Sequence, residues 1–162
     1  MALELSTIGS KVKYKVGSGA TFPTTLTGFT EIPDIVSISE DNAEAENIDV
    51  TNLVDTRRRA IPGLLGSTDA MTLTANFTVA FKTAWETLLT AADTARAAGN
   101  TVWFEFTLPG HTDSWYIGGM PQALGYAGAQ VGQAQQLEVR ITKNDPHGYA
   151  TASTTTSGGT SK

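Results

Sequence analysis

Residues 69–79, DAMTLTANFTV, alternate apolar and polar side chains. Successive side chains of an extended strand point to opposite faces, so the apolar ones share one face and the polar ones share the other. The apolar face consists of Met71, Leu73, Ala75, Phe77 and Val79. The stretch therefore predicts a β-strand that is buried on one face, and it is the cleanest such pattern in the chain.

Six further stretches on either side of it also predict strands. They are residues 10–16 (SKVKYKV), 35–40 (IVSISE), 47–51 (NIDVT), 101–107 (TVWFEFT), 114–126 (SWYIGGMPQALGY) and 135–142 (QQLEVRIT). In the first, Val12, Tyr14 and Val16 point to one face, and Lys11, Lys13 and Lys15 point to the other, solvent-facing side. Residues 143–149, KNDPHGY, read as a turn because Asn, Asp, Pro and Gly favour turns.

A single helix is predicted between the strands, at about residues 82–98. Apolar side chains recur here at helical spacing and form one stripe: Phe81, Trp85, Leu88, Leu89 and Ala92. Thr83 and Glu86 have the spacing of a capping box, and Gly99 supplies a stop. Strands, one helix and further strands favour a mostly β domain, with β-sandwich or barrel-like sheets and one flanking helix.

The composition agrees with a single β-rich domain. Threonine, which favours strands, occurs 25 times among 162 residues, and glycine, which favours turns, occurs 16 times. This length suits one domain, which we place at residues 1–148. Residues 149–162 are small, polar and without pattern, so we expect them to form a flexible C-terminal tail.

The charge balance argues against a protein that grips nucleic acid. Sixteen acidic residues against eleven basic ones give a net charge of −5, whereas phosphate binding needs a basic surface. No stretch approaches the roughly 18 consecutive apolar residues of a membrane-spanning helix, and the first residues lack the apolar run of a signal peptide. We therefore expect no membrane partner and synthesis in the cytoplasm.

Motifs of enzymatic chemistry are missing. The sequence has no GxSxG elbow, P-loop, HExxH helix or EF-hand loop, and it has no cysteine. His111 and His147 lie in turn contexts, and His111 with Asp113 supplies only two ligands of a metal site. We predict a non-enzymatic protein without catalytic residues, cofactor or metal. A metal-dependent hydrolase around His111 is the least favoured alternative.

A surface- or carbohydrate-binding module is another alternative. Trp103, Trp115 and Tyr116 would form an aromatic platform if they were exposed.

Residues 52–68, between two predicted strands, show no clear secondary-structure pattern. Loops of this length are uncommon in compact domains and are usually functional or disordered. An isolated loop would not keep its apolar residues from water, so we expect a partner subunit to cover them; they are Leu53, Val54, Ile61, Leu64 and Leu65. Arg57–Arg59 fit a solvated tip, an ion-pairing contact with an acidic neighbouring subunit or, less well, nucleic acid.

An acidic cluster precedes this loop at Glu40, Asp41, Glu44 and Glu46. Such a cluster fits a solvated hairpin tip. It also fits a cation site, although the spacing of a known calcium loop is absent. A third interpretation is an acidic patch that faces a polyanion.

Several short motifs together resemble the tail tube proteins of long-tailed bacteriophages. They are a lysine-bearing first strand, FTEIPDI at residues 29–35, IDVT at 48–51, IPGL at 61–64, an alternating strand with a helix after it, and the last strand LEVRIT. The resemblance covers roughly residues 10–145. Needle proteins of type VI secretion share the implied fold and are the runner-up.

The resemblance implies a structural subunit of the virion tail, assembled in the host cytoplasm. Rings of six copies would stack into a tube around a tape-measure protein and join other tail proteins. The long loop would reach the next ring, and its implied contact residues are Asp55, Arg57, Arg58, Arg59, Ile61, Leu64 and Leu65. DNA would pass through without specific binding.

The charge of such a ring suits a conduit. Six copies would carry about −30, and acids facing the lumen would repel the phosphates of DNA. The candidate lumen-facing acids are Glu40, Asp41, Glu44, Glu46 and Glu138.

Overall fold

The computed structural model describes residues 9–17, 26–41, 47–62 and 70–154, without the side chains of residues 41, 62 and 144–147. The elements in these ranges are β1 (Val12–Val16), β2 (Thr30–Ile32), β3 (Ile35–Asp41), β4 (Asn47–Asp49), β5 (Ala60–Pro62), β6 (Ala70–Asn76), α1 (Val79–Ala97), β7 (Val102–Thr107), β8 (Asp113–Pro121) and β9 (Gln136–Thr151). They confirm the predicted class, a mostly β domain with a single helix.

Seven strands form one antiparallel sheet in the order β2-β1-β7-β8-β9-β6-β3, and β4 and β5 form a small separate sheet. The two edge strands of the large sheet, β2 and β3, are consecutive in the chain and are joined by Pro33 and Asp34 alone. Two residues span only about 7 Å, so the two edges meet at that point and the sheet curls like a partly open barrel. The predicted barrel-like sheets are thus realised by one large curled sheet.

One face of this sheet carries the apolar core. Register partners on neighbouring strands point to the same side, and five strands contribute fully buried side chains to it: Val12, Phe104, Ile117, Ile141 and Leu73. Helix α1 packs on this face through Phe81, Trp85, Leu88, Ala92 and Ala95. This helix is not long and apolar enough to span a membrane, and it is the only helix in the described ranges.

Helix α1 begins at Val79, three residues before the predicted start. Thr78 caps it, because its Oγ1 accepts a hydrogen bond from the Phe81 amide at 3.1 Å. The predicted capping box at Thr83 is therefore wrong, and Val79 belongs to the helix rather than to the preceding strand. The β2–β3 turn explains the difference, since the Asp34 carboxylate accepts a hydrogen bond from the Thr78 hydroxyl and fixes the cap.

Strand β9 is longer than predicted, because the supposed turn at residues 143–149 continues it to Thr151. The register jumps between Ile117, which lies opposite His147, and Gly118, which lies opposite Asn144, so residues 145 and 146 form a bulge. Proline is tolerated in a strand at a bulge. The strand therefore extends past residue 148, where the sequence had placed the end of the domain.

The opposite face of the sheet is covered at strands β1, β7 and β8. Trp103 lies there fully buried, and Gly17 approaches it so closely that an added Cβ would sit 2.6 Å from the indole Cδ1. Phe29 packs edge-on against the buried Tyr116, with 5.8 Å between ring centroids. Lys13 is also buried here, which corrects the prediction that it faces solvent.

Candidate assembly surfaces

The segment predicted to contact a neighbouring subunit forms a hairpin. Strands β4 and β5 pair with each other, with Ile48 opposite Ile61. Hydrogen bonds continue the ladder beyond them, from the Val50 amide to the Arg59 carbonyl at 2.9 Å and from the Arg59 amide to Thr51 Oγ1 at 2.9 Å. The stretch at 52–68 thus contains a strand that the sequence did not predict, because three residues are too few to show a period.

The turn of this hairpin is closed by its own polar groups. Asn52 Oδ1 accepts a hydrogen bond from the Val54 amide at 2.9 Å, and Asp55 Oδ2 accepts one from the Asn52 amide at 3.0 Å. Hydrogen bonds from the Thr51 side chain and amide hold the pKa of the Asp49 carboxyl below its ordinary value. The hairpin therefore keeps its shape through local bonds.

The side chains of the hairpin are presented to solvent. Leu53 is fully exposed and Val54 is 86% exposed, while Ile48 and Ile61 are about half exposed at 49%. The sequence predicted that a partner subunit covers Leu53 and Val54, although neither is among the contact residues that the resemblance implies. Their apolar character in a polar stretch was visible in the sequence, but their exposure depends on where the turn falls.

The predicted contact residues that the structure describes lie together on this hairpin. Arg57 and Arg58 are exposed, and Arg59 Nη1 lies 3.8 Å from Asp55 Oδ1, at the long limit of an ion pair. Together with Ile61 they form one cationic and apolar surface. Leu64 and Leu65 lie outside the described residues.

A second surface is the uncovered part of the sheet face opposite the core, on strands β3, β6 and β9. We call it the hydroxyl face and define it by the register rows Ser37–Thr74–Glu138 and Ser39–Thr72–Arg140. Both serines and both charged residues are exposed, and the threonines are half-buried. It is a polar surface built from strands.

The structure separates the candidate lumen acids. Glu138 lies on the hydroxyl face. Glu40 lies opposite Met71 and therefore on the core side, where its Oε1 pairs with Lys143 Nζ at 2.7 Å. The side chain of Asp41, and Glu44 and Glu46 altogether, lie outside what the structure describes.

A buried polar cluster that sequence reasoning missed lies under the covered part of the same face. The Glu105 carboxylate is completely buried; its Oε1 accepts hydrogen bonds from the Ser153 amide at 2.8 Å and the Tyr116 hydroxyl at 3.1 Å, and its Oε2 accepts the Ser153 hydroxyl. Lys13 Nζ lies 3.9 Å from Glu105 and donates to Ser153 Oγ at 3.2 Å. The cluster holds residues 151–154 against the sheet.

The electrostatics of this cluster favour the ionised carboxylate. Burial alone raises the pKa of Glu105, but the hydrogen bonds from the Ser153 hydroxyl and amide and the charge of Lys13 outweigh it, so the pKa is lowered overall. Burial, followed by the charge of Glu105, raises the pKa of Tyr116. The only sequence signal was a lysine and a glutamate at strand positions beside apolar neighbours, and of these two the lysine alone was predicted to face solvent.

The alternatives with other chemistry find little support in these positions. The aromatic platform is wrong as predicted, because Trp103 and Tyr116 are fully buried. In the described part of the chain no three His, Asp or Glu side chains come together as a metal site would require. What the fold exposes is a set of strand edges, a hairpin and a polar sheet face, as in a structural subunit built to assemble.

The sequence matches a family model described as phage tail tube protein, TTP, over residues 3–151. The chain therefore belongs to the phage tail tube protein family and is a structural, non-enzymatic component of the virion tail. No curated protein sequence matches it significantly.

Solved tube structures share the fold. The chain is similar to a subunit of the tail of an empty gene transfer agent particle determined with C6 symmetry (15% identity, 91% of this chain, 99% of that chain, TM-score 0.57). It is also similar to the SPP1 tail tube, with 13% identity over 93% of this chain and 81% of that chain and a TM-score of 0.58. A third similarity is to a chain of the sheath–tube complex of an extracellular contractile injection system in its extended state. The identity is 14% over 93% of this chain and 94% of that chain, and the TM-score is 0.59. These likenesses concern the fold and confirm the predicted resemblance.

Proposed function

We propose that six copies of this chain close into a ring and that the rings stack into the tail tube. The observation that carries this proposal is the family match over residues 3–151. The sixfold symmetry is that of the gene transfer agent tail, whose subunit the chain resembles over nearly its whole length.

Strand β3 supports the closing of the ring. It is a seven-residue edge of the sheet, and its Val36 is exposed at a bulge. An open edge of this length presents unpaired amides and carbonyls that invite another strand. The other edge, β2, has only three residues. Neighbouring copies would join at β3 and make the hydroxyl face continuous around the lumen.

The β4–β5 hairpin supports the stacking of rings. Local hydrogen bonds hold its turn while its apolar and cationic side chains stay exposed, which suits a preformed contact. We assign the ring-to-ring contact to these apolar and charged residues of the hairpin: Leu53, Val54, Asp55, Arg57, Arg58, Arg59 and Ile61. Leu64 and Leu65 stay in the proposed contact on the basis of the sequence alone.

The finished tube would surround a tape-measure protein and later conduct DNA without binding it specifically. Of the candidate lumen acids, Glu138 is best supported, because it lies on the hydroxyl face; Asp41, Glu44 and Glu46 remain sequence-based candidates. One domain ending near Ser153, rather than at residue 148, would form the wall.

A tube enclosed by a contractile sheath is the second candidate, because the fold is equally like that of the contractile injection system. Tails measured by electron microscopy before and after ejection would separate the two, since a sheathed tail shortens.

Electron microscopy of the purified full-length chain tests the main proposal. We expect tubes built from sixfold rings at high protein concentration. Replacing residues 52–57 by Asn-Gly joins Thr51 to Arg58, its partner in the continued register, through a two-residue hairpin turn and should leave single rings or short stacks. A chain that stays monomeric at every concentration, by light scattering, contradicts ring formation; a shortened hairpin that still gives long tubes contradicts its role in stacking.

A further inference from the structure

The hydroxyl face bears two described charges, and they belong to one ion pair. Glu138 and Arg140 are two residues apart on β9, so both side chains project from the same face. Arg140 Nη2 lies 3.2 Å from Glu138 Oε1, and Arg140 Nε lies 3.4 Å from the same oxygen. Their neighbours across the strands are hydroxyl side chains without charge.

This pair is poorly placed to stabilise the fold. The two side chains are 55% and 52% exposed, and exposed pairs of this kind contribute about 0–1 kcal/mol. What the pair does change is the field above the face. Opposite charges in contact cancel at distances near the Debye length, which is about 10 Å at 0.1 M salt. A lone guanidinium, in contrast, would bind phosphate oxygens, often through two hydrogen bonds.

We propose that Glu138 is the internal counter-ion of Arg140 and keeps the described part of the tube wall neutral toward the phosphates of passing double-stranded DNA. The inference rests on the proposed function, in which the hydroxyl face lines the lumen. In this inference Glu138 masks the positive charge of Arg140, whereas the sequence had suggested that Glu138 repels the phosphates of DNA. In a sixfold ring, loss of Glu138 would expose six arginines at one level of the tube.

The experiment uses assembled tubes and a short fluorescent DNA duplex. Tubes of the wild-type chain, E138Q, R140Q and the double variant E138Q/R140Q are mixed with duplex, treated with nuclease and sedimented. E86Q is the matched control, because Glu86 pairs with Lys82 on the helix surface at similar exposure and its loss changes the net charge equally. Nuclease-protected duplex reports DNA inside the lumen.

Wild-type, R140Q, double-variant and E86Q tubes should give only the background signal of protected duplex. At about 50 mM salt, E138Q tubes should give a signal at least about tenfold above this background, and they should release the duplex by about 200 mM, because phosphate contacts weaken steeply with salt. Protected duplex above background in wild-type tubes, equal retention by E86Q, or no gain in E138Q overturns the inference while the tube remains. If the wild-type chain forms no tubes, the proposed function itself fails, which is a separate result.

Discussion

The buried Lys13 and the exposed arginines of the hairpin are cations in opposite settings. Lys13 has its charge compensated inside the chain by Glu105, which also accepts hydrogen bonds from Ser153. Arg57 and Arg58 stand exposed on a hairpin that is held by its own hydrogen bonds. The first region makes its interactions within the subunit, and the second keeps its charged side chains available for contacts with other molecules. Stability and assembly should therefore respond to different substitutions.

Glu105→Ala should have the largest effect on the buried region. It takes the Glu105 carboxylate away from the buried Lys13 and removes the acceptor of the Ser153 amide and hydroxyl, which should lower the free energy of unfolding by about 3–5 kcal/mol. Urea unfolding followed by tryptophan fluorescence measures the loss. Glu86→Ala, at an exposed pair, should change it by no more than about 0.5 kcal/mol. Equal midpoints for the two variants would show that the cluster does not stabilise the fold.

Gly17→Ala should have the next largest effect. The new methyl group would meet the buried indole of Trp103 at 2.6 Å, and overpacking of this kind costs about 1–3 kcal/mol. Gly125→Ala is the control, because no heavy atom lies within 4 Å of a Cβ there and its φ is not positive. In the same assay the urea midpoint of Gly17→Ala should lie clearly below that of Gly125→Ala. The reverse order would argue that Trp103 can move aside.

Acid should weaken the buried region with a definite sign. The folded-state pKa of Glu105 is lowered from its ordinary value of 4.5, so its contribution is fully present above about pH 4.5 and is lost as pH falls through the lower, folded value. The urea midpoint should fall between pH 5 and about pH 3. Glu105→Gln should start lower and lose less over this interval; parallel curves for both proteins would exclude Glu105 as the titrating group.

The sequence predicted best where a strand had enough residues to show its period. Residues 70–76 alternate over a whole strand, and residues 102–107 are rich in aromatic and β-branched residues; both strands were found with nearly correct bounds. Strands β2 and β5 have three residues each, and their existence depends on partners elsewhere in the chain. A period cannot report such partners.

The candidate sites divide in the same way. The segment at 52–68 was singled out from a local anomaly, polar and apolar residues mixed in one stretch, but the hairpin that it forms with β4 was not predicted. The inward turn of Lys13 was missed, because it depends on Glu105 and Ser153, which reach it only through tertiary structure. Alternation alone indicates two faces, but it does not say whether the polar face is covered.

The smallest effect on stability should come from Leu53→Ser combined with Val54→Ser, and this variant sharpens the contrast most. Both side chains are exposed, so the free energy of unfolding should change by no more than about 0.5 kcal/mol. The tubes in electron micrographs should nevertheless be much shorter, because ring stacking would no longer bury the apolar side chains of Leu53 and Val54 away from water. Val131→Ser, at a fully exposed residue between β8 and β9, is the matched control. If it shortens the tubes equally, exposed apolar groups in general drive assembly and the hairpin has no special part; if only the tip variant does, stacking and folding are carried by separate regions of one chain.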